Sequence, residues 1–453
     1  MDHLPSLKII EICKVAPPPP EASRAAAVPS SLPLTFFDLL WLRFHPIQRL
    51  FFYELPSNDI SFVDEVVPNL KTSLSLTLRY YLPLAGNLVW LPHSDVPTVE
   101  FVDGDGVSLT VAESGADFYR LSGNGFREVS EFHPLVPQLP VSHDRAAVIA
   151  VQVTVFQSKG FSIGITNHHA VVDGRTSTSF IKSWAQICMD QSTVPIAKLI
   201  PFYDRSIIDD PKGLAKIYTN AWLNQDGPNN RSLNLKLPET KPSLIRSTFE
   251  FTHQNLQKLK QWILKKNDEQ ISSFVVATAY LCVCTAKLDG LRDGKLWFGF
   301  AADATSRLKP PLPLNYFGNC LVGGIVSIER VELLGANGIA LACEEISKAV
   351  ENLGGGGVLK GAEIYGTLMS EMTNDYSKAQ AISLAGSPRF GVYSTDFGWG
   401  KPMKVEIVSA ESPLVFSLSD SRNSDVGMEI GVVKERDQME TFAALFNEGF
   451  EAL

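Results

Sequence analysis

From residue 196 to residue 245 the apolar runs that fill the rest of this chain give way to polar, turn-forming sequence. "DRSIIDDPKGL" at 204–214 and "NQDGPNNRSLNLKLPETKPS" at 224–243 are rich in Pro, Gly, Asn and Asp. Glycine and asparagine accept left-handed backbone and proline removes a hydrogen-bond donor, so such sequence makes turns rather than helix or ladder. A break this long reads as a crossover between two packed units. The chain has 453 residues, which fits two domains of about 200 residues each better than one. The expected division is 1–195, a linker at 196–245, and 246–453.

Both flanks mix strand and helix signals. "LKIIEICKV" reads as a strand. "NLKTSLSLTLRYY" carries apolar residues at helical spacing up to Tyr81, with Pro83 and Gly86 as stops. "AAVIAVQVTVFQSKGFSIGITNHH" is two β-rich runs around a short turn, a hairpin. It leads into "TSTSFIKSWAQICMD", where Phe180, Ile181, Trp184, Ile187 and Cys188 share one helical face. Past the break come strand "STFEF", a helix capped by Thr252, a helix opened by Ser272 and Ser273, and strand "KLWFGFAADA". The fold class expected is α/β, as two mixed-sheet domains joined by a long crossover loop.

A net charge of −9 with no basic run counts against nucleic-acid binding. The six cysteines are scattered among apolar residues with no CxxC pair, which suits free thiols in a reducing cytosol. The first residues lack a basic and then apolar leader, and no apolar run is long enough to span a membrane. A cytoplasmic, monomeric chain is the expectation.

"NHHAVVDGR" at 167–175 stands where the hairpin hands over to the helix. Two histidines and an aspartate provide too few ligands for a zinc site, and the remaining histidines do not cluster in sequence. Asp173 suits a helix N-cap, and either histidine suits a satisfied strand end. The same residues also suit a general base, of which one can face a cleft because neighbouring strand side chains point oppositely. Spacing alone leaves these readings open. Asp396-Phe-Gly-Trp-Gly400 contains a kinase-like triplet, but no kinase catalytic loop or lysine accompanies it.

Taken together, HxxxD at 169–173 and DFGWG at 396–400 resemble the joint signature of plant BAHD acyltransferases. "YYLPLAGNL" at 80–88, "SSFVVATAYL" at 272–281 and "RLKPPLPLNYFGNC" at 307–320 fall in that family's order, so the resemblance spans nearly the whole chain. "SLPLTFFDLLWL" at 31–42, "YFGNC" and "GSPRF" at 386–390 look like the branch that malonylates flavonoid, anthocyanin and other phenolic glucosides. The resemblance implies the two-domain fold of CoA-dependent, chloramphenicol acetyltransferase-like enzymes. It implies malonyl-CoA as co-substrate, a phenolic glucoside as acceptor, no metal, and His169 as general base with His168 turned away. The same machinery with hydroxycinnamoyl- or acetyl-CoA, or a member that has lost its chemistry, is the alternative.

The family resemblance further implies that Asp173 pairs with Arg307 of the second domain. It gives Asp396 and Trp399 either a chemical or a structural role in DFGWG, and it places CoA phosphates near Lys258, Lys260, Ser272 and Ser273. An arginine often seen in that family has become Thr305, and where the hydroxycinnamoyl branch has a Ser-Trp the aligned stretch is Ala385-Gly386-Ser387. A malonyl carboxylate calls for a cation, with Arg175 and Arg389 as candidates. The mechanism needs no acyl-enzyme, so Cys320 reads as a packing residue.

Overall fold

The computed structural model describes residues 7–19, 28–55, 61–237, 241, 243–264, 271–354, 357–374, 381–423 and 426–451. Three sheets organise it. A six-stranded sheet runs in the order Leu7–Val15, Val107–Ser114, Ile149–Phe156, Gly160–Asn167, Ile47–Glu54 and Lys404–Ile407. A seven-stranded sheet runs Leu321–Glu329, Lys295–Asp303, Ala381–Gly386, Val415–Asp420, Met428–Glu435, Leu244–Phe251 and Arg127–Glu128. Four short strands form a third sheet beside the first.

The hairpin reading places the central strand correctly. Gly160–Asn167 pairs antiparallel with Ile149–Phe156 on one side and with Ile47–Glu54 on the other, and all eight of its residues are buried. Its apolar and small residues suit a strand covered on both faces. Gly164 has a specific reason: a Cβ there would lie 2.2 Å from the carbonyl oxygen of Leu135. The helix Gly174–Asp190 follows, burying Phe180, Ile181, Trp184, Ile187 and Cys188 as its spacing predicts. Its neighbour in the first half, Val67–Leu78, stops short of Tyr81, and Pro83 opens a separate one-turn helix, Leu82–Ala85.

The two halves exchange strands. Lys404–Ile407 forms the edge of the first sheet, although it comes from the second half. Arg127–Glu128 returns the exchange by pairing with Leu244–Phe251. A buried ionic cluster joins these pieces. Glu406 accepts from Arg127 at 2.7 Å and Arg246 at 3.2 Å, and Lys404 meets Glu429 at 2.7 Å.

The crossover is more ordered than its composition suggests. It contains the helix Leu214–Leu223, whose Trp222 donates to the carbonyl of Leu39. Arg43 gathers its far end through Gln225, Asn230 and Ser232. Residues 238–240 and 242 of the expected linker, and Gly355 and Gly356 of the glycine run at 354–357, lie outside the described residues. Among the described residues no helix is long and apolar enough to cross a membrane.

Candidate active site

The central strand ends at Asn167, and the next residues turn sharply into the helix. The His168 amide donates to Val148 O, and Val171 N closes a turn back to His168 O. Asp173 ends the turn as N-cap, its Oδ1 accepting the Thr176 amide at 2.8 Å. A side-chain acceptor here satisfies one of the helix's unpaired amides. Burial raises the Asp173 carboxyl above its ordinary value, against the opposing positive charge of Arg175.

The two histidines part company. His168 is fully buried, its Nδ1 accepting from Ala170 N, and burial lowers its pKa to about 4. His169 borders a cavity of about 2930 Å³ between the halves. Its imidazole lies flat on Trp41, with ring centres 4.0 Å apart and planes 3° apart, while Phe44 meets it edge-on. Its Nδ1 is buried and has no hydrogen-bond partner. Desolvation pushes the pKa of His169 down to about 3, with repulsion from His45 and His168 adding to it. The ring is therefore neutral at cellular pH.

A buried polar network fixes the backbone beneath this ring. Asn319 of "YFGNC" donates from Nδ2 to His169 O at 2.9 Å and to Asp38 Oδ1 at 3.0 Å. Asp38 also accepts from the Asn319 amide, from Thr35 and from Arg205. Trp41, Asp38 and Asn319 were not singled out as site residues from the sequence. One signal was present: Asp38 interrupts the apolar run "LTFFDLLWL", and a carboxylate buried in such a run must be partnered.

The expected Asp173–Arg307 ion pair does not form. Asp173 spends its oxygen on the helix cap, and Arg307 donates to the Val350 carbonyl at 3.3 Å while bordering the cavity. The ionic contact from this segment to the second half runs through Arg175 instead. Its Nη1 donates to Thr305 Oγ1 at 3.0 Å and lies 3.4 Å from Asp303. Arg175 Nε and Nη2 are buried beside the cavity and have no partner. Thr305 is thus the acceptor that orients Arg175.

Ser272 caps the helix Ser273–Asp289 through the Val275 amide and borders the cavity. Lys258 and Lys260, on the preceding helix His253–Leu264, do not line it and have no ion-pair partner among the described residues. Arg389 does line it, with its side chain exposed. In DFGWG, Asp396 Oδ1 accepts the amides of Gly398 and Gly400 at 2.8 and 3.0 Å. Those glycines have φ of +105° and +104°, which a side chain would strain. Phe397 is buried between Tyr53 and Trp184, and Trp399 meets Phe161 edge-on. The loop is thereby docked on the first sheet. Cys320 is sealed in the core, and burial holds its thiol far above the ordinary range.

Two properties define what the cavity can take. Its volume is about three times the upper end of the ~300–1,000 Å³ usual for one small ligand, which leaves room for more than one. Eight lysines and arginines line it against four carboxylates, in a chain whose net charge is −9. Anionic ligands are therefore favoured locally. Among the described residues no three His, Cys, Asp or Glu side chains are grouped to hold a metal ion.

Comparison with known proteins gives the family and the fold. The Transferase family matches residues 21–448. Phenolic glucoside malonyltransferase 1 of Arabidopsis thaliana is 39% identical over 98% of each chain. The malonyl-CoA:anthocyanidin 5-O-glucoside-6''-O-malonyltransferase of the same plant is 39% identical over 98% of this chain and 99% of its own. The crystal structure of vinorine synthase superposes with a TM-score of 0.71 at 19% identity, covering 96% of each chain, which speaks for the fold. This chain belongs to the Transferase family, the BAHD acyltransferases, and is a CoA-dependent acyltransferase.

Proposed function

We propose that the protein transfers a malonyl group from malonyl-CoA to a sugar hydroxyl, the 6-hydroxyl of glucose, on a phenolic or flavonoid glucoside. The observation that carries the reading is the neutral His169 imidazole at the wall of a cavity large enough for both substrates. The acceptor hydroxyl gives its proton to Nε2 as its oxygen attacks the thioester carbonyl carbon. The tetrahedral intermediate collapses, the C–S bond breaks, and the departing thiolate recovers the proton from the imidazolium. General-base assistance of this kind contributes about 10²–10⁴ in rate. Burial makes the imidazolium costly, so the proton moves on readily to the thiolate.

In this reading Asp173 braces the turn that presents His169, and Asp396 holds the DFGWG loop closed rather than moving a proton. The free N–H groups at the start of the Ser273–Asp289 helix, next to Ser272, suit the CoA phosphates. Lys258 and Lys260 act from outside the cavity, as long-range attraction. Arg175 receives the malonyl carboxylate on its two unpartnered nitrogens.

The test is a thiol-release assay with malonyl-, acetyl- and coumaroyl-CoA against a panel of phenolic glucosides, for wild type and Arg175→Gln. Losing a charge-assisted hydrogen bond costs about 1.5–3 kcal/mol, so KM for malonyl-CoA should rise about 10- to 100-fold and KM for acetyl-CoA little. Equal changes for both donors would remove Arg175 from that role. Coumaroyl transfer faster than malonyl transfer in the wild type would reassign the donor.

A further inference from the structure

The helix that follows the histidines presents charge on two sides. Arg175 faces Thr305 and Asp303 of the second half. Thr178 and Lys182 lie one and two turns beyond Gly174 on another face. That face meets Arg49 and Phe390. Arg49 is only 2% exposed; its Nη1 donates to Thr178 Oγ1 at 2.8 Å, and its guanidinium carbon lies 6.0 Å from the Phe390 ring centre. Lys182 donates from Nζ to the Phe390 carbonyl at 2.6 Å.

Both cations line the cavity, and among the described residues neither has a carboxylate within ion-pair distance. The charge that acts on both is Asp420, at longer range. Asp420 does not line the cavity, and its oxygens already accept the Val392 and Tyr393 amides at 2.8 and 3.2 Å. A buried guanidinium and a half-buried ammonium therefore share one distant, already occupied carboxylate. Burial lowers the pKa of Arg49 to about 10 and that of Lys182 below its ordinary value, and the two charges repel. An anionic partner would be favoured by both charges, and arginine's planar fork matches a carboxylate. Arg389, on the same loop as Phe390, adds positive charge where this wall meets the cavity.

We infer that Arg49 and Lys182 form a second carboxylate subsite, distinct from Arg175, that takes an acidic group on the acceptor. The matching substrate class is a glucoside whose phenolic part bears a free carboxylate. The inference rests on the acyl-acceptor reading above and assigns the acceptor to the Phe390 side of the helix, with the malonyl end of the donor on the Arg175 side.

The decisive measurement is equilibrium binding by calorimetry, without any acyl-CoA. The probes are the glucoside of 4-hydroxybenzoic acid and its methyl ester, which differ by one negative charge. The wild type should bind the acid about 10- to 100-fold more tightly than the ester, the range for a charge-assisted contact. Lys182→Met should reduce that ratio at least several-fold and Arg49→Gln should abolish it, whereas Arg175→Gln should leave it intact. Lys182→Met decides alone where Arg49→Gln does not fold. Equal affinities in the wild type, no binding of the acid, or a ratio kept by Lys182→Met and lost in Arg175→Gln would each overturn the subsite. Turnover is read separately: binding as expected with no acyl transfer to either glucoside would count against the proposed function, not against the subsite.

Discussion

Replacing Glu406 by glutamine tests how the two halves are held around the cavity. Glu406 is 2% exposed and sits between Arg127 of the first half and Arg246 of the second. Burial alone would raise its pKa, but Arg127, Lys404 and Arg246 together lower it from 4.5 to about 2. A shift of that size corresponds to roughly 3 kcal/mol of stability. The group's folded pKa is depressed, so this stability is complete above about pH 5 and is lost as pH falls toward 2. Deleting one partner of a buried ion pair gives an independent estimate, about 3–5 kcal/mol, because the remaining charges lose their counter-charge. With an unfolding entropy of about 2.1 cal/mol/K per residue, a chain of 453 residues should lose about 3–5 °C in Tm. Scanning calorimetry of wild type and Glu406→Gln at pH 7 and pH 3 reads both the size and its origin. The deficit should be present at pH 7 and markedly smaller at pH 3, where the carboxyl of the unfolded chain is already protonated while the folded one is still largely ionised. A deficit that is the same at both values, or absent at pH 7, would refute the electrostatic account of this clamp.

Three further outcomes follow from the site. His169→Ala should lower kcat by about 10²–10⁴ with the fold intact. Because burial holds the His169 pKa near 3, the acid limb of kcat/KM in the wild type should lie below about pH 4, and a limb near 6.5 traced to this residue would contradict that desolvation. Asp173→Ala removes the cap on Thr176 N and should cost about 0.5–2 kcal/mol of stability along with activity. Unchanged circular dichroism and melting with abolished turnover would show a chemical role instead. Gly174→Ala places a Cβ 2.6 Å from the Phe390 ring, so that ring must shift. Overpacking of this kind costs about 1–3 kcal/mol, and the acceptor KM should rise with the donor KM unchanged. Steady-state kinetics varying each substrate in turn would distinguish the two.

What could be read from the sequence and what could not divide along one physical line. The hairpin, the helix after it and the caps at Asp173, Thr252 and Ser272 depend on residues within a few positions of one another, and their periods and cap chemistry are local. The exchanged strands are different. Lys404–Ile407 and Arg127–Glu128 are too short to show a period, and each pairs with sequence more than 100 residues away. The failed Asp173–Arg307 pairing has the same origin. Both residues lie near the interface of the halves, but a carboxylate already committed to its own helix has little to offer a distant guanidinium. Arg175, two residues on, crosses the gap because the helix it begins turns it toward Thr305. Trp41 under His169 was legible as an apolar residue and not as a platform, since a ring's stacking partner is set by the crossing of two segments. The position of the proposed base, His169, is thus local chemistry, while its environment is assembled at long range: Trp41 from the segment leading into the first sheet, Asn319 from the second half, and the Phe390 wall through the strand that lays Ile407 beside Arg49. Substrate choice in this fold should accordingly respond more to changes at these crossings than to changes in the HxxxD turn itself.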